Sequence, residues 1–318
     1  MPTLRLVFFG TPAFAVPSLQ ALAGAGYPVL AAVTQPDKPA GRSRRVVEGA
    51  VKQAASSMGI PVLQPDRLRD EAFQHQLAAL GADLGVVAAY GKILPAAVLE
   101  APRLGMVNVH ASLLPRWRGA SPIHRAIMAG DAETGVSIMR VVQALDAGPV
   151  LDRVSRLIGP DETAEQVEHD LARLGADLLL RVLASMERGE VREVPQAEEE
   201  VTYAPPLSRE DGRIDWSRPA RAIHDQVRAL QRWPHAFTTL AGSRIIVLET
   251  AVPDPGQEAV EAGVPPGTFL SLAGDALSVS TGTSPLHLRR VQAEGRRPVT
   301  GREFAAGARL KPGARLSS

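Results

Sequence analysis

Cysteine is absent from the chain, which excludes disulfide staples, thiolate metal sites and cysteine nucleophiles, and fits a reducing, cytoplasmic compartment. Lysine is nearly absent too. Lys38, Lys52, Lys92 and Lys311 are the only lysines among 35 basic residues, a bias that genome composition explains as readily as phosphate recognition does. The seven histidines include no pair at zinc-motif spacing, so no metal is expected. No apolar run approaches the roughly 20 residues that span a bilayer, so no membrane partner is expected either. The apolar run 6–16 behind Arg5 reads as a buried strand closed by the turn Gly10-Thr11-Pro12, not as a signal-peptide core. An excess of one charge is also missing, because 35 basic and 34 acidic side chains leave a net charge of +1. Any nucleic-acid partner must therefore be argued from local charge.

What is present is the balance of a globular protein, with 45% hydrophobic and 22% charged residues over 318 positions, enough for two domains. Stretches 4–9, 29–33, 61–63, 84–89 and 106–109 are short, apolar and bounded by Gly or Pro, as strands are. Between them, residues 18–25, then Val47, Val51, Ala55 and Met58, then Leu68, Ala72, Phe73, Leu77 and Leu80 keep the spacing of one-faced helices. Alternation of this kind predicts a doubly wound, mostly parallel α/β sheet with ligands beyond the strand C-termini. Stretches 134–142 and 150–158 add two strands and an antiparallel edge, and a long helix follows over 163–187 with Asp161 as its expected cap.

The acidic, Pro-containing stretch 190–205 reads as a linker between a first domain, 1–189, and a second, 206–318. In the second, Ser217 is expected to cap a short helix. Five turn-separated strands at 236–240, 245–251, 267–272, 276–280 and 286–291 predict a small OB-like β-barrel.

The stretch richest in chemistry is Asn-Val-His-Ala-Ser-Leu-Leu-Pro-Arg-Trp-Arg-Gly from Asn108 to Gly119. Asn108 and His110, two apart at the end of a strand, point to the same side of the sheet at the edge where ligands bind. On spacing alone they read equally as a turn asparagine and a satisfied buried histidine. A polar pair in an otherwise apolar strand is costly without a purpose, which favours a site. Asp146, in Leu-Asp-Ala-Gly-Pro, taken alone reads as a turn aspartate. Gly10-Thr11-Pro12 lacks the G-x-G-x-x-G spacing of a dinucleotide site.

The Asn108 to Gly119 run resembles the signature of the folate-dependent formyltransferases, and its Arg-Trp-Arg-Gly form resembles the branch that acts on methionyl-tRNA. Gly10-Thr11-Pro12, the block Thr34 to Arg42, the block Tyr90 to Pro95, the block Gly130 to Gly135, Leu145-Asp146-Ala147-Gly148, Ile214-Asp215-Trp216 and Trp233-Pro234 are similar to further blocks of that family, in order. Ser121 and His124 depart from it, standing where the family would place Ala and Gln. The resemblance implies formyl transfer from 10-formyltetrahydrofolate to the α-amine of initiator methionyl-tRNA. Asn108, His110 and Asp146 would then be catalytic. Folate would be contacted by the turn Ser112, Leu113, Leu114, Pro115 and by the loop Tyr90, Lys92, Ile93, Leu94. The loop carrying Lys38, Arg42, Arg44 and Arg45 would enter the tRNA acceptor end; as a bare charge run, without the resemblance, it reads first as a solvated loop.

Charge is divided unevenly. Residues 1–205 hold 20 basic and 23 acidic side chains, whereas 206–318 hold 15 and 11. The last thirty positions hold 8 and 2, and Arg296 and Arg297 among them suit a phosphate backbone. An amino-sugar formyltransferase, which also joins a formyl-transfer domain to a small barrel, is the nearest rival. A catalytically silent RNA-binding protein on the same scaffold is the alternative from another class.

Overall fold

A computed structural model describes residues 3–40, 45–254 and 263–317, which form two compact units. The first unit takes in 1–122, 133–157 and 168–205, and the second 123–132, 158–167 and 206–318.

The first unit is built on a seven-stranded sheet in the order Val150–Leu157, Glu133–Arg140, Met106–His110, Leu84–Ala88, Leu6–Gly10, Val29–Val33, Val62–Leu63. The last five run parallel, while Glu133–Arg140 and Val150–Leu157 form the antiparallel edge. Leu6–Gly10 and Leu84–Ala88 are buried at every position, as strands covered on both faces must be, which is why they read as unbroken apolar runs. The helix Ala164–Glu187 buries Val167, Leu171, Leu178 and Val182. Its cap is Thr163, which exchanges hydrogen bonds with Gln166, and not Asp161, which lies too far upstream. Val47 likewise belongs to a short hairpin of Lys38–Ala40 with Arg45–Val47, and the helix starts later, at Ala50.

The stretch 190–205, expected as a linker, is held to the first unit. Val194 bridges Val150, and Tyr203–Ala204 pairs in parallel with Arg118–Gly119. Composition alone does not report such anchoring, because its partners are dozens of residues away in the chain.

In the second unit, strands run in the order Ala236–Leu240, Ser243–Ala251, Leu286–Ala293, Ala276–Val279, Phe269–Ala273, all antiparallel. Residues 313–317 close the sheet into a barrel. Gly313 donates to Phe269 and Leu316 to Gly267, while Ser317 and Thr239 exchange two backbone hydrogen bonds. Ile214, Trp216, Val247, Leu277, Leu286, Val291 and Leu316 fill the interior, together with Ile223 and Val227 of the helix Ala220–Ala229. Ser217 does not cap that helix. Its hydroxyl and amide are both taken by Asp215, Pro219 holds the cap position, and Thr283 accepts from the Ala220 amide instead. Among the described residues no helix is long and apolar enough to cross a membrane.

Candidate active site

Asn108 and His110 share the strand Met106–His110, whose C-terminal end opens at the edge where the parallel order gives way to the antiparallel one. Asn108 is half-buried, and its carboxamide has no hydrogen-bond partner among the described residues. An amide left unsatisfied at a strand end is available to a ligand. His110 is buried and held from both sides: Nε2 lies 3.0 Å from the Trp117 carbonyl oxygen, and Nδ1 lies 3.7 Å from Asp146 Oδ2. A carbonyl only accepts, so Nε2 is the donor in that contact, and Nδ1 is left facing the Asp146 carboxylate. A proton arriving at Nδ1 would be stabilised by that carboxylate.

Asp146 sits in a left-handed backbone conformation (φ 47°), and its Oδ2 accepts from the Gly119 amide at 2.9 Å. Two glycines make this arrangement possible. A Cβ on Gly148 would stand 1.9 Å from the Arg140 carbonyl oxygen, and one on Gly119 (φ 126°) would stand 2.6 Å from that of Ala204. The Gln196 side chain donates to the carbonyls of Asp146 (2.8 Å) and Gly148 (2.7 Å) and accepts from Arg118 Nε at 2.9 Å. Thr202 receives the amides of both Trp117 and Arg118, each at 2.9 Å.

The turn after the strand is held by Ser137, which was not singled out from the sequence. Its hydroxyl donates to the Ser112 carbonyl at 2.7 Å and accepts from the Leu114 amide at 3.1 Å. The only signal that could have found it is its place as a buried polar residue inside an apolar strand. Ser112 donates to the Arg116 carbonyl, closing the turn. Leu114 is fully buried with Met139 and Val150, Pro115 is buried, and Leu113 is half-buried.

Across from it, Tyr90 packs edge-on against Phe9 with centroids 5.4 Å apart, and burial pushes its hydroxyl up to about 12. The Tyr90 carbonyl accepts from Gln35 and Thr11. Lys92 donates to the Asp66 carbonyl, Leu94 is buried, and Ile93 is 85% exposed. The Tyr90, Leu94 and Leu114 side chains therefore belong to the core.

Of the basic residues singled out from sequence, Arg42 and Arg44 lie outside the described residues. Lys38 and Arg45 begin the two strands of the short hairpin. Arg296 and Arg297 are exposed in the turn between Leu286–Ala293 and Val299–Thr300, with no ion pair among the described residues. No group of three or more His, Asp or Glu side chains that could hold a metal ion occurs among the described residues.

The formyl transferase family model matches residues 4–183, and the model for the C-terminal domain of formyl transferases matches 206–309. The chain is 45% identical over 310 residues to a methionyl-tRNA formyltransferase of Sorangium cellulosum, covering 98% of each. It is 46% identical to one of Symbiobacterium thermophilum, covering 99% of this chain and 95% of the other. Among solved structures it resembles an N-formyltransferase of Helicobacter canadensis in complex with folinic acid and dTDP-3-aminofucose, with a TM-score of 0.68 at 14% identity over 92% of this chain and all of that one. It also resembles HypX of Aquifex aeolicus in complex with tetrahydrofolic acid, with a TM-score of 0.63 at 16% identity over 95% of this chain and 47% of that one. At those identities the two structures share the fold.

Proposed function

This chain belongs to the formyl transferase family, and on that premise we propose that it passes the formyl group of 10-formyltetrahydrofolate to the α-amine of initiator methionyl-tRNA, in the cytoplasm, for translation initiation. Formyl transfer to methionyl-tRNA is its activity, as the names of the relatives matching it from end to end state for them. The observation that carries the assignment of the site is the pairing of an unpartnered Asn108 carboxamide with a histidine held between a carbonyl and Asp146.

The chemistry asks for those groups. The amine nitrogen bonds to the formyl carbon, the carbonyl oxygen becomes an oxyanion, and the bond from that carbon to N10 then breaks. The Asn108 carboxamide donates to the oxyanion. His110 Nδ1 takes up a proton in the course of the reaction and returns it, with Asp146 stabilising the imidazolium. The amine gives up one proton and N10 gains one, so no net proton is left on the protein. The turn 112–115 and the loop 90–94 offer backbone groups to the pterin, with the Ile93 side chain against it. The stretch carrying Lys38, Arg42, Arg44 and Arg45 meets the acceptor end. Residues 206–318, following a first domain of 1–189 and the connecting 190–205, bear the tRNA backbone on Arg296 and Arg297.

The deciding experiment offers the enzyme 10-formyltetrahydrofolate with methionylated initiator tRNA, methionylated elongator tRNA or an amino-sugar nucleotide. Formylation of the initiator species is expected, and formylation of the sugar alone would overturn the assignment.

A further inference from the structure

We infer that Gln196 is a positioning residue for formyl transfer, holding Asp146 in the conformation in which its carboxylate faces His110. The inference rests on the role proposed above for Asp146. Three observations carry it. Asp146 adopts a left-handed conformation that a residue with a side chain keeps only when its surroundings hold it there. The Gln196 amide supplies that hold by donating both of its protons, one to the carbonyl of Asp146 and the other to that of Gly148, so it pins both sides of Ala147. The amide oxygen is fixed in turn by Arg118, which is only 3% exposed and whose guanidinium also forks onto Glu198 at 2.9 and 3.4 Å.

The orientation of Gln196 follows from its partners. Turned over, the amide would aim its oxygen at two carbonyls and its NH₂ at a guanidinium, losing every bond. Glutamate would keep the acceptor for Arg118 but would aim a charged oxygen at the two carbonyls, losing both donations. Glutamine supplies two donors and one acceptor without placing a second charge beside Asp146.

The same segment reaches the other half of the site. Thr202 holds the Trp117 and Arg118 amides, and the Trp117 carbonyl receives His110 Nε2. The stretch from Gln196 to Thr202 thus fixes the backbone that faces His110 on one side and the backbone that carries Asp146 on the other. A polar network of this kind fixes geometry only when every member is satisfied, and here each Gln196 polar atom is.

The test measures turnover of the full chain with 10-formyltetrahydrofolate and methionylated initiator tRNA. Gln196→Glu is expected to lower kcat by about ten- to a hundredfold, the scale of a displacement below 1 Å in a reacting group. KM for both substrates should change by less than about twofold, since no substrate contact is removed. In an Asp146→Asn background the same substitution should cause almost no further loss, because Gln196 acts through that carboxylate. Glu198→Gln, at an exposed position, releases the outer end of Arg118 and is expected to give a smaller loss in the same sense. Gln196→Met, close in size and uncharged, is the variant to read should Gln196→Glu not fold. Wild-type turnover in the Gln196 variants, or an equal fractional loss with and without Asp146, would overturn the inference. Full activity of Asp146→Asn alone would instead remove the reading beneath it.

Discussion

At the scale of single residues, the site combines one free donor with one histidine that is not free. Removing the Asn108 donor should lower kcat by about 10²-fold while folate affinity is kept, as loss of a single oxyanion donor does elsewhere. Steady-state kinetics of Asn108→Ala beside a folate-binding titration check this. Ser137 makes a different prediction. Its hydroxyl serves a carbonyl and an amide of the turn 112–115, both interior, so Ser137→Ala leaves two unsatisfied groups. A loss of about 1–3 kcal/mol is expected from denaturant unfolding, with a raised KM for the folate. Asn108 and His110 were legible because they lie two apart in one strand and break its apolar pattern. Ser137 and Gln196 were not, because each finds its partners across a gap of 23 to 78 residues that only the fold closes.

At the scale of elements, burial on both faces made the parallel strands easy to read, while the helix caps were harder. Ser217 has the right chemistry for a cap, but Asp215 captures it locally in a competing turn. The closure of the barrel was equally hidden, since 313–317 joins Phe269 and Thr239 without any alternation of its own. Leu316 is 3% exposed at that closure, so Leu316→Ala is expected to cost about 2–5 kcal/mol, read as a lowered Tm. The turn carrying Arg296 and Arg297 should act on affinity, not on chemistry. Replacing both by Ala should flatten the dependence of log K for tRNA on log salt by about one to two units, with single-turnover chemistry at saturating tRNA unchanged.

At the scale of the whole molecule, the division read from sequence at residue 205 differs from the division in space, because 123–132 and 158–167 cluster with the second unit. Their anchors are polar. Arg125 pairs with Asp211, whose carboxyl this pairing holds below its ordinary value. Arg228 donates to the carbonyls of Gly159 and Glu162, and His224 Nε2 reaches the Pro160 carbonyl and Asp161. Burial lowers the His224 pKa and Arg221 adds to this, against the opposing pull of Asp225, Asp161 and the Pro160 carbonyl. The unfolded chain therefore binds this proton more readily than the folded one. Its contribution to stability is whole above the ordinary histidine value of about 6.5 and is lost as pH falls below it. Thermal unfolding followed from neutral to acid pH should show that loss, and His224→Gln should reduce it. The interleaving also bears on the order of events in folding. Arg125 and Asp211 are 86 positions apart, and a long loop must close before such a contact forms, an entropic cost met early and rewarded late. The strand pairs 236–240 with 243–251 and 269–273 with 276–279 are joined by two-residue turns and can nucleate by themselves, whereas the second unit is complete only once 123–132 and 158–167, which lie far earlier in the chain, join it. Refolding should accordingly end in a slow phase in which 123–132 and 158–167 dock, and substitutions at Arg125 or Arg228 should change that phase while leaving the earlier ones as they are.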